Sequence, residues 1–144
     1  MRVVGNVLWV VLAGFRLALG YVLAGLVQFV FIITIPFGIQ SFKLASYALW
    51  PFGRMVVQRA DSDVALGCLG NLLWLVFGGL WLALGHLITG VLLCVTIIGI
   101  PFGIANFKLA GLALAPFGKE IVRCDAALPP SAIPVYAPPP QLDR

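Results

Sequence analysis

Few side chains in this sequence could do chemistry, and their spacing restricts what that chemistry could be. His86 is the only histidine and lies in an apolar stretch. A group whose charge changes near neutral pH could serve there as a proton relay or gate. A relay needs a second titratable group, so the plainer reading is an interfacial, hydrogen-bonded histidine near Trp81. Asn6 and Asn71 are candidates to cap a helix by accepting its orphan amides, or to line a solute path. Lys43 and Lys108 each follow a Pro-Phe-Gly triplet by five residues. Such lysines can rest their stems in an apolar layer and hold their ammonium groups at anionic headgroups, or coordinate an anion at a helix start. Pro36 and Pro101 open those triplets and are candidate break points.

The remaining residue types argue against catalysis. The acidic residues Asp61, Asp63, Glu120, Asp125 and Asp143 all lie outside the apolar stretches. No buried acid/base pair, GxSxG elbow, HExxH pair or phosphate-binding loop can be assembled, so an enzyme is not expected. Cys68, Cys94 and Cys124 form no CxxC pair and have one histidine for company. Neither a metal site nor a disulfide framework follows, and no cofactor is implied. The cysteines read as small buried hydrophobes.

The solvent is decided by composition. Of 144 residues, 62% are hydrophobic and 10% charged, against about 45–50% and about 25% in soluble domains. No charged residue occurs from Leu17 to Phe42 or from Val64 to Phe107. Such runs exceed the roughly 18 apolar residues that mark a bilayer span. The net charge of +4 is scattered rather than patched, so nucleic acid is not an expected partner; the lipid bilayer is. Met1–Arg2 with the apolar stretch behind it imitates a secretory signal. Cleavage there would remove half of a repeated unit.

That repeat dominates the sequence. A shift of 65 residues aligns Gly5–Val57 with Gly70–Val122 without a gap, with roughly half of the positions identical. Gly5-Asn6-Val7-Leu8-Trp9 answers to Gly70-Asn71-Leu72-Leu73-Trp74. Ile35-Pro36-Phe37-Gly38-Ile39 answers to Ile100-Pro101-Phe102-Gly103-Ile104, and Phe42-Lys43-Leu44-Ala45 to Phe107-Lys108-Leu109-Ala110. Pro51-Phe52-Gly53 recurs as Pro116-Phe117-Gly118, each followed by a basic residue. Two polar positions differ: Tyr21 stands for His86, and Ser41 for Asn106.

At these residues the chain resembles the YccF family of small bacterial inner-membrane proteins, most specifically over His86–Lys108. The resemblance implies an inner-membrane location and supplies no catalytic residue.

The expected architecture is an all-α integral membrane protein of two tandem helical modules. They occupy residues 1–57 and 64–123, joined by a polar linker at 58–63 and followed by a Pro-rich disordered tail at 124–144. Each module is expected to be a helical hairpin, or a long helix, with Pro-Phe-Gly breaks. Proline lacks the amide and glycine tolerates positive φ, so each triplet is expected to end a helix. Charge favours hairpins with tips near residues 16–21 and 81–86, because Arg16, Tyr21, Trp81 and His86 all suit a headgroup region. A long tilted helix followed by a shorter returning one keeps the same sidedness, with both termini cytoplasmic. Gly14/Ala18, Gly20/Ala24 and Gly79/Ala83 are small-residue pairs that permit close helix approach. Two functions remain: a homo-oligomeric structural or assembly component of the membrane, or a small oligomeric channel or transporter.

Overall fold

The computed structural model describes residues 2–60, 62–128 and 130–135. Four helices carry the fold. Helix α1 runs Arg2–Gln28 and helix α3 runs Val64–Cys94; these are paired in sequence with the shorter α2, Ile35–Leu49, and α4, Ile100–Leu114. Among the described residues three helical segments, Arg2–Gln28, Ile32–Leu49 and Val64–Cys94, are long and apolar enough to cross a membrane. The chain is thus a mostly helical membrane protein with an internal repeat.

The expected hairpin tips do not form. Residues 16–21 and 81–86 lie inside the unbroken helices α1 and α3, and the long helix of each module gives way to the short one at 29–34 and 95–99. Charge and aromaticity at Arg16 and Trp81 do not break a helix; the backbone finds no proline until Pro36 and Pro101. Those prolines open α2 and α4 rather than ending α1 and α3. In a first turn the missing amide costs nothing, since it would have no intrahelical partner. The second triplet behaves differently. Gly53 and Gly118 have φ of 98° and 82°, and the amides of Arg54 and Lys119 close on Pro51 O and Pro116 O at 3.2 and 3.3 Å. This is a turn with glycine where positive φ is required.

Both long helices contain one widened turn, Val10–Gly14 in α1 and Leu75–Gly79 in α3. Such π-turns insert one residue into the helical register. Here the widening lays the Trp9 indole over Gly14 and the Trp74 indole over Gly79, and a Cβ at either glycine would overlap the ring. The indoles, fully buried, donate across the module to Ala48 O at 2.6 Å and Ala113 O at 2.7 Å. Gly14 and Gly79 are therefore spent on packing inside each module.

A small sheet departs from the all-α expectation. Strands β1 (Arg54–Arg59), β2 (Lys119–Arg123) and β3 (Ala132–Pro134) form an antiparallel sheet in the order β2-β1-β3. The β-branched residues Val56, Val57, Ile121 and Val122 suit a half-buried pleat, but the partners lie far apart in sequence, which leaves no local signal. Gln58 and Arg59, read as linker, belong to β1. Ala132–Pro134, read as disordered tail, is held on the edge of β1, where a missing proline donor is tolerated. The part of that tail at residues 136–144 lies outside the described residues.

The repeat generates a pseudo-twofold axis. Val56 pairs with Ile121 in the sheet, and Tyr21 meets His86 in the helices; both pairs are separated by the repeat shift of 65. The sheet end also collects the starts of α1 and α3. Gly5 lies against Phe52, and Gly70 against Phe117.

Candidate functional site

The interior is built by exchange between modules. Phe37, at the start of α2, packs edge-on against Phe117 of the second module at 5.5 Å between centroids and tilts against Trp74 at 6.5 Å. Phe102, at the start of α4, does the same with Phe52 at 5.9 Å and Trp9 at 6.4 Å. Each triplet phenylalanine thus completes the other module's aromatic box. Edge-to-face pairs of this kind contribute about 0.5–1.5 kcal/mol each beyond burial.

Asn6 and Asn71 are not helix caps. Each sits within its long helix and clasps the second triplet instead. Asn6 Nδ2 donates to Phe52 O at 2.8 Å while Phe52 N donates to Asn6 Oδ1 at 3.0 Å. Asn71 makes the same two bonds with Phe117, at 3.2 and 2.9 Å. A carboxamide offers a donor and an acceptor side by side, so it can bind the C=O and N–H of one residue as a neighbouring strand would. The N-cap of α3 is Asp63, whose Oδ1 accepts from the amides of Ala65 and Leu66.

His86 is fully buried at the seam between the modules, away from exposed Trp81. The expected interfacial position is therefore replaced by an internal one. Asn106 Nδ2 donates to Phe102 O at 3.2 Å, which turns its Oδ1 toward His86 Nδ1 at 3.0 Å. That acceptor fixes the proton on Nδ1, and Nε2 then accepts from the Tyr21 hydroxyl at 3.1 Å. The side-chain polar atoms of Tyr21, His86 and Asn106 all have partners in this hydrogen-bonded relay, which ends on Phe102 O. It orients the imidazole and ties α1, α3 and α4 together.

A second buried pair lies in the first module. Ser41 Oγ donates to Gln28 Oε1 at 2.8 Å, while Gln28 Nε2 has no hydrogen-bond partner among the described residues. By the repeat shift, Gln28 answers to Leu93 and Ser41 to Asn106. Sequence reasoning missed Tyr21, Gln28 and Ser41 as site residues. The signal available was the departure of each from its repeat counterpart.

Lys43 and Lys108 are exposed in the middle of α2 and α4, and Pro36 and Pro101 are exposed in the first turns of those helices. Lys43 is one wall of a cavity of about 600 Å³ at the sheet end. Arg2, Arg54, Lys119 and Arg123 bring further positive charge to that cavity, against Glu120 and Asp125. Arg123 is engaged with Asp125 at 2.9 Å, and that hydrogen bond holds the Asp125 carboxyl below the usual carboxylate range. Arg54 donates to Ser46 O at 3.1 Å. Burial lowers the pKa of Lys119. Among the described residues no group of three or more metal-ligating side chains occurs.

Comparison with known proteins agrees with this architecture. No solved structure matches the chain. It is 42% identical over 135 residues to the inner membrane protein YccF of Escherichia coli K12, an alignment covering 88% of this chain and 91% of the relative. The relative of the same name from Shigella flexneri aligns with the same identity and coverage. The family model described as the YccF inner membrane component domain matches twice, at residues 4–54 and 69–119, the two copies that exchange Phe37 and Phe102. The chain belongs to the YccF family of inner-membrane proteins.

Proposed function

We propose that this chain is a non-catalytic, homo-oligomeric structural component of the inner membrane. Each module crosses twice, and both termini lie on the cytoplasmic side. The observation that carries the reading is the exchanged aromatic interior. Trp9, Trp74, Phe37, Phe102, Phe52 and Phe117 fill the space between the modules, fusing the repeats into one rigid unit wrapped in lipid-facing Leu, Val, Ile and Phe. Sidedness is supported by charge. Arg2, Lys43, Arg54, Lys119 and Arg123 gather at the sheet end, whereas the turns at 29–34 and 95–99 contain no charged residue. Positive charge is retained on the cytoplasmic side.

Assembly is supported by Arg16. It is exposed on the apolar face of α1 beside Leu12, Phe15 and Leu19. An arginine at that depth facing lipid costs about 2.5–3.5 kcal/mol on insertion scales, a cost a second copy removes by covering it with carbonyl or hydroxyl acceptors. Native mass spectrometry of the protein in nanodiscs tests this. A discrete oligomer that dissociates in Arg16→Leu is expected, and a monomer in both proteins overturns the reading. Labelling Cys124 with an impermeant maleimide tests sidedness, with reaction expected in inverted vesicles and not in intact spheroplasts.

The alternative, a small oligomeric channel or transporter, draws on Gln28 Nε2, a buried donor with no partner among the described residues. A path would have to run between subunits, because rings fill the space between the modules. Ion flux in liposomes that Gln28→Leu abolishes would favour it.

A further inference from the structure

We propose that the cavity at the sheet end of the first module is a binding site for the phosphate headgroup of an anionic glycerophospholipid. This rests on the reading that the sheet end sits at headgroup level. Five cations line the cavity against two carboxylates. Two of the five are already occupied, Arg54 by the Ser46 carbonyl and Arg123 by Asp125. With Asp125 spent on Arg123, Arg2, Lys43, Lys119 and the still-charged Arg54 face Glu120 alone. Lys119 is half-buried, so its ammonium is partly removed from water and gains most from an incoming anion. The volume of about 600 Å³ accommodates a headgroup with its glycerol. The rim selects lipid over a soluble anion. Val3 and Trp50 border the cavity and are exposed on the apolar shell, so acyl chains can leave the site along the helices.

The repeat supplies an internal control. In the second module Arg2 is replaced by Gly67, Gln40 by Ala105 and Trp50 by Ala115, and Gln58 occupies the place of Arg123. Lys108 and Lys119 match Lys43 and Arg54. The equivalent location therefore lacks two cations and the aromatic rim, and the site occurs once per chain. Basic pockets beside membrane helices on the cytoplasmic side bind phosphate-rich headgroups on this principle.

The test is lipid retention by the full chain released from mixed phosphatidylglycerol and phosphatidylethanolamine nanodiscs, read by native mass spectrometry. One phosphatidylglycerol is expected to be retained about tenfold or more over its bulk ratio. The double variant Lys43→Gln/Lys119→Gln, and independently Arg2→Gln, return retention to the bulk ratio. Lys108→Gln leaves it unchanged. Millimolar inorganic phosphate leaves the lipid in place. Equal retention of the two lipids, an equal loss in Lys108→Gln, or displacement by inorganic phosphate overturns the proposal, the last by assigning the cavity to a soluble anion. The same spectra report oligomeric mass, and cysteine labelling reports sidedness, so failure of the lipid site is separable from failure of the structural reading.

Discussion

The two modules share a frame and differ in what fills it. Trp9 and Trp74, Asn6 and Asn71, Gly14 and Gly79, and the paired triplets make the same contacts in each copy, down to the carbonyl that each indole meets. The polar positions on the pseudo-twofold seam do not. Tyr21 faces His86 as its own repeat counterpart, and Ser41 supports Gln28 where Asn106 supports His86. A seam built from identical residues would place two tyrosines or two histidines face to face, each needing the other to take the complementary hydrogen-bond role. Divergence assigns donor to Tyr21 and acceptor to His86 Nε2. The frame is thus symmetric because packing demands it, and the seam is asymmetric because a hydrogen bond has a direction.

The sharpest way to break the symmetric half of this comparison is at the tryptophans. Trp9→Ala and Trp74→Ala each empty a buried box and orphan a carbonyl, and each should cost about 3–5 kcal/mol. Thermal unfolding in detergent should give similar losses for the two; a marked difference would show that the copies do not share their frame energetically. The asparagine clasps come next. Asn6→Ala leaves the Phe52 amide and carbonyl without their partners, and Asn71→Ala does the same at Phe117. Each should cost about 1–3 kcal/mol, with the larger effect at Asn6, which is fully buried where Asn71 is partly exposed.

How much of this was legible depends on distance along the chain. The membrane class and the two copies follow from composition and from Gly-Asn-x-x-Trp and Pro-Phe-Gly recurring at one shift. The role of each triplet did not, since the same three residues start a helix at Pro36 and make a positive-φ turn at Pro51. Context decides: Pro36 follows a turn that has already ended α1, whereas Pro51 comes directly behind the last turn of α2. Arg16 misled because an arginine in a long apolar run suggests a headgroup level, and only the tertiary structure shows the helix carrying it onward. The sheet and the Tyr21–His86 contact join residues far apart in sequence, beyond any periodicity signal, although the Val56–Ile121 and Tyr21–His86 pairs are each separated by the repeat shift.

The asymmetric seam is probed with smaller changes. His86→Phe orphans the Tyr21 hydroxyl and Asn106 Oδ1 together and should cost about 1–3 kcal/mol. Tyr21→Phe removes one bond and leaves only Nε2 exposed to an apolar neighbour, so the loss should fall near 0.6 kcal/mol, the average for hydrogen bonds between membrane helices. Equal losses would mean that the Asn106 arm contributes nothing.

The smallest effect is expected at the start of α3. Asp63 caps α3, its Oδ1 accepting from the amides of Ala65 and Leu66. The cap is exposed, and Asp63→Ala should therefore cost about 0.5 kcal/mol, the low end for N-caps. Its carboxylate also favours the positive end of the α3 dipole, so Asp63→Asn, which keeps the hydrogen-bond acceptor and removes the charge, should recover part of the loss. Amide hydrogen exchange at Ala65 and Leu66 resolves a change this small. Faster exchange confined to those amides in Asp63→Ala, with α1 unaffected, locates the effect in the cap, whereas faster exchange at the start of α1 as well would mean that the two helix starts are coupled through the sheet.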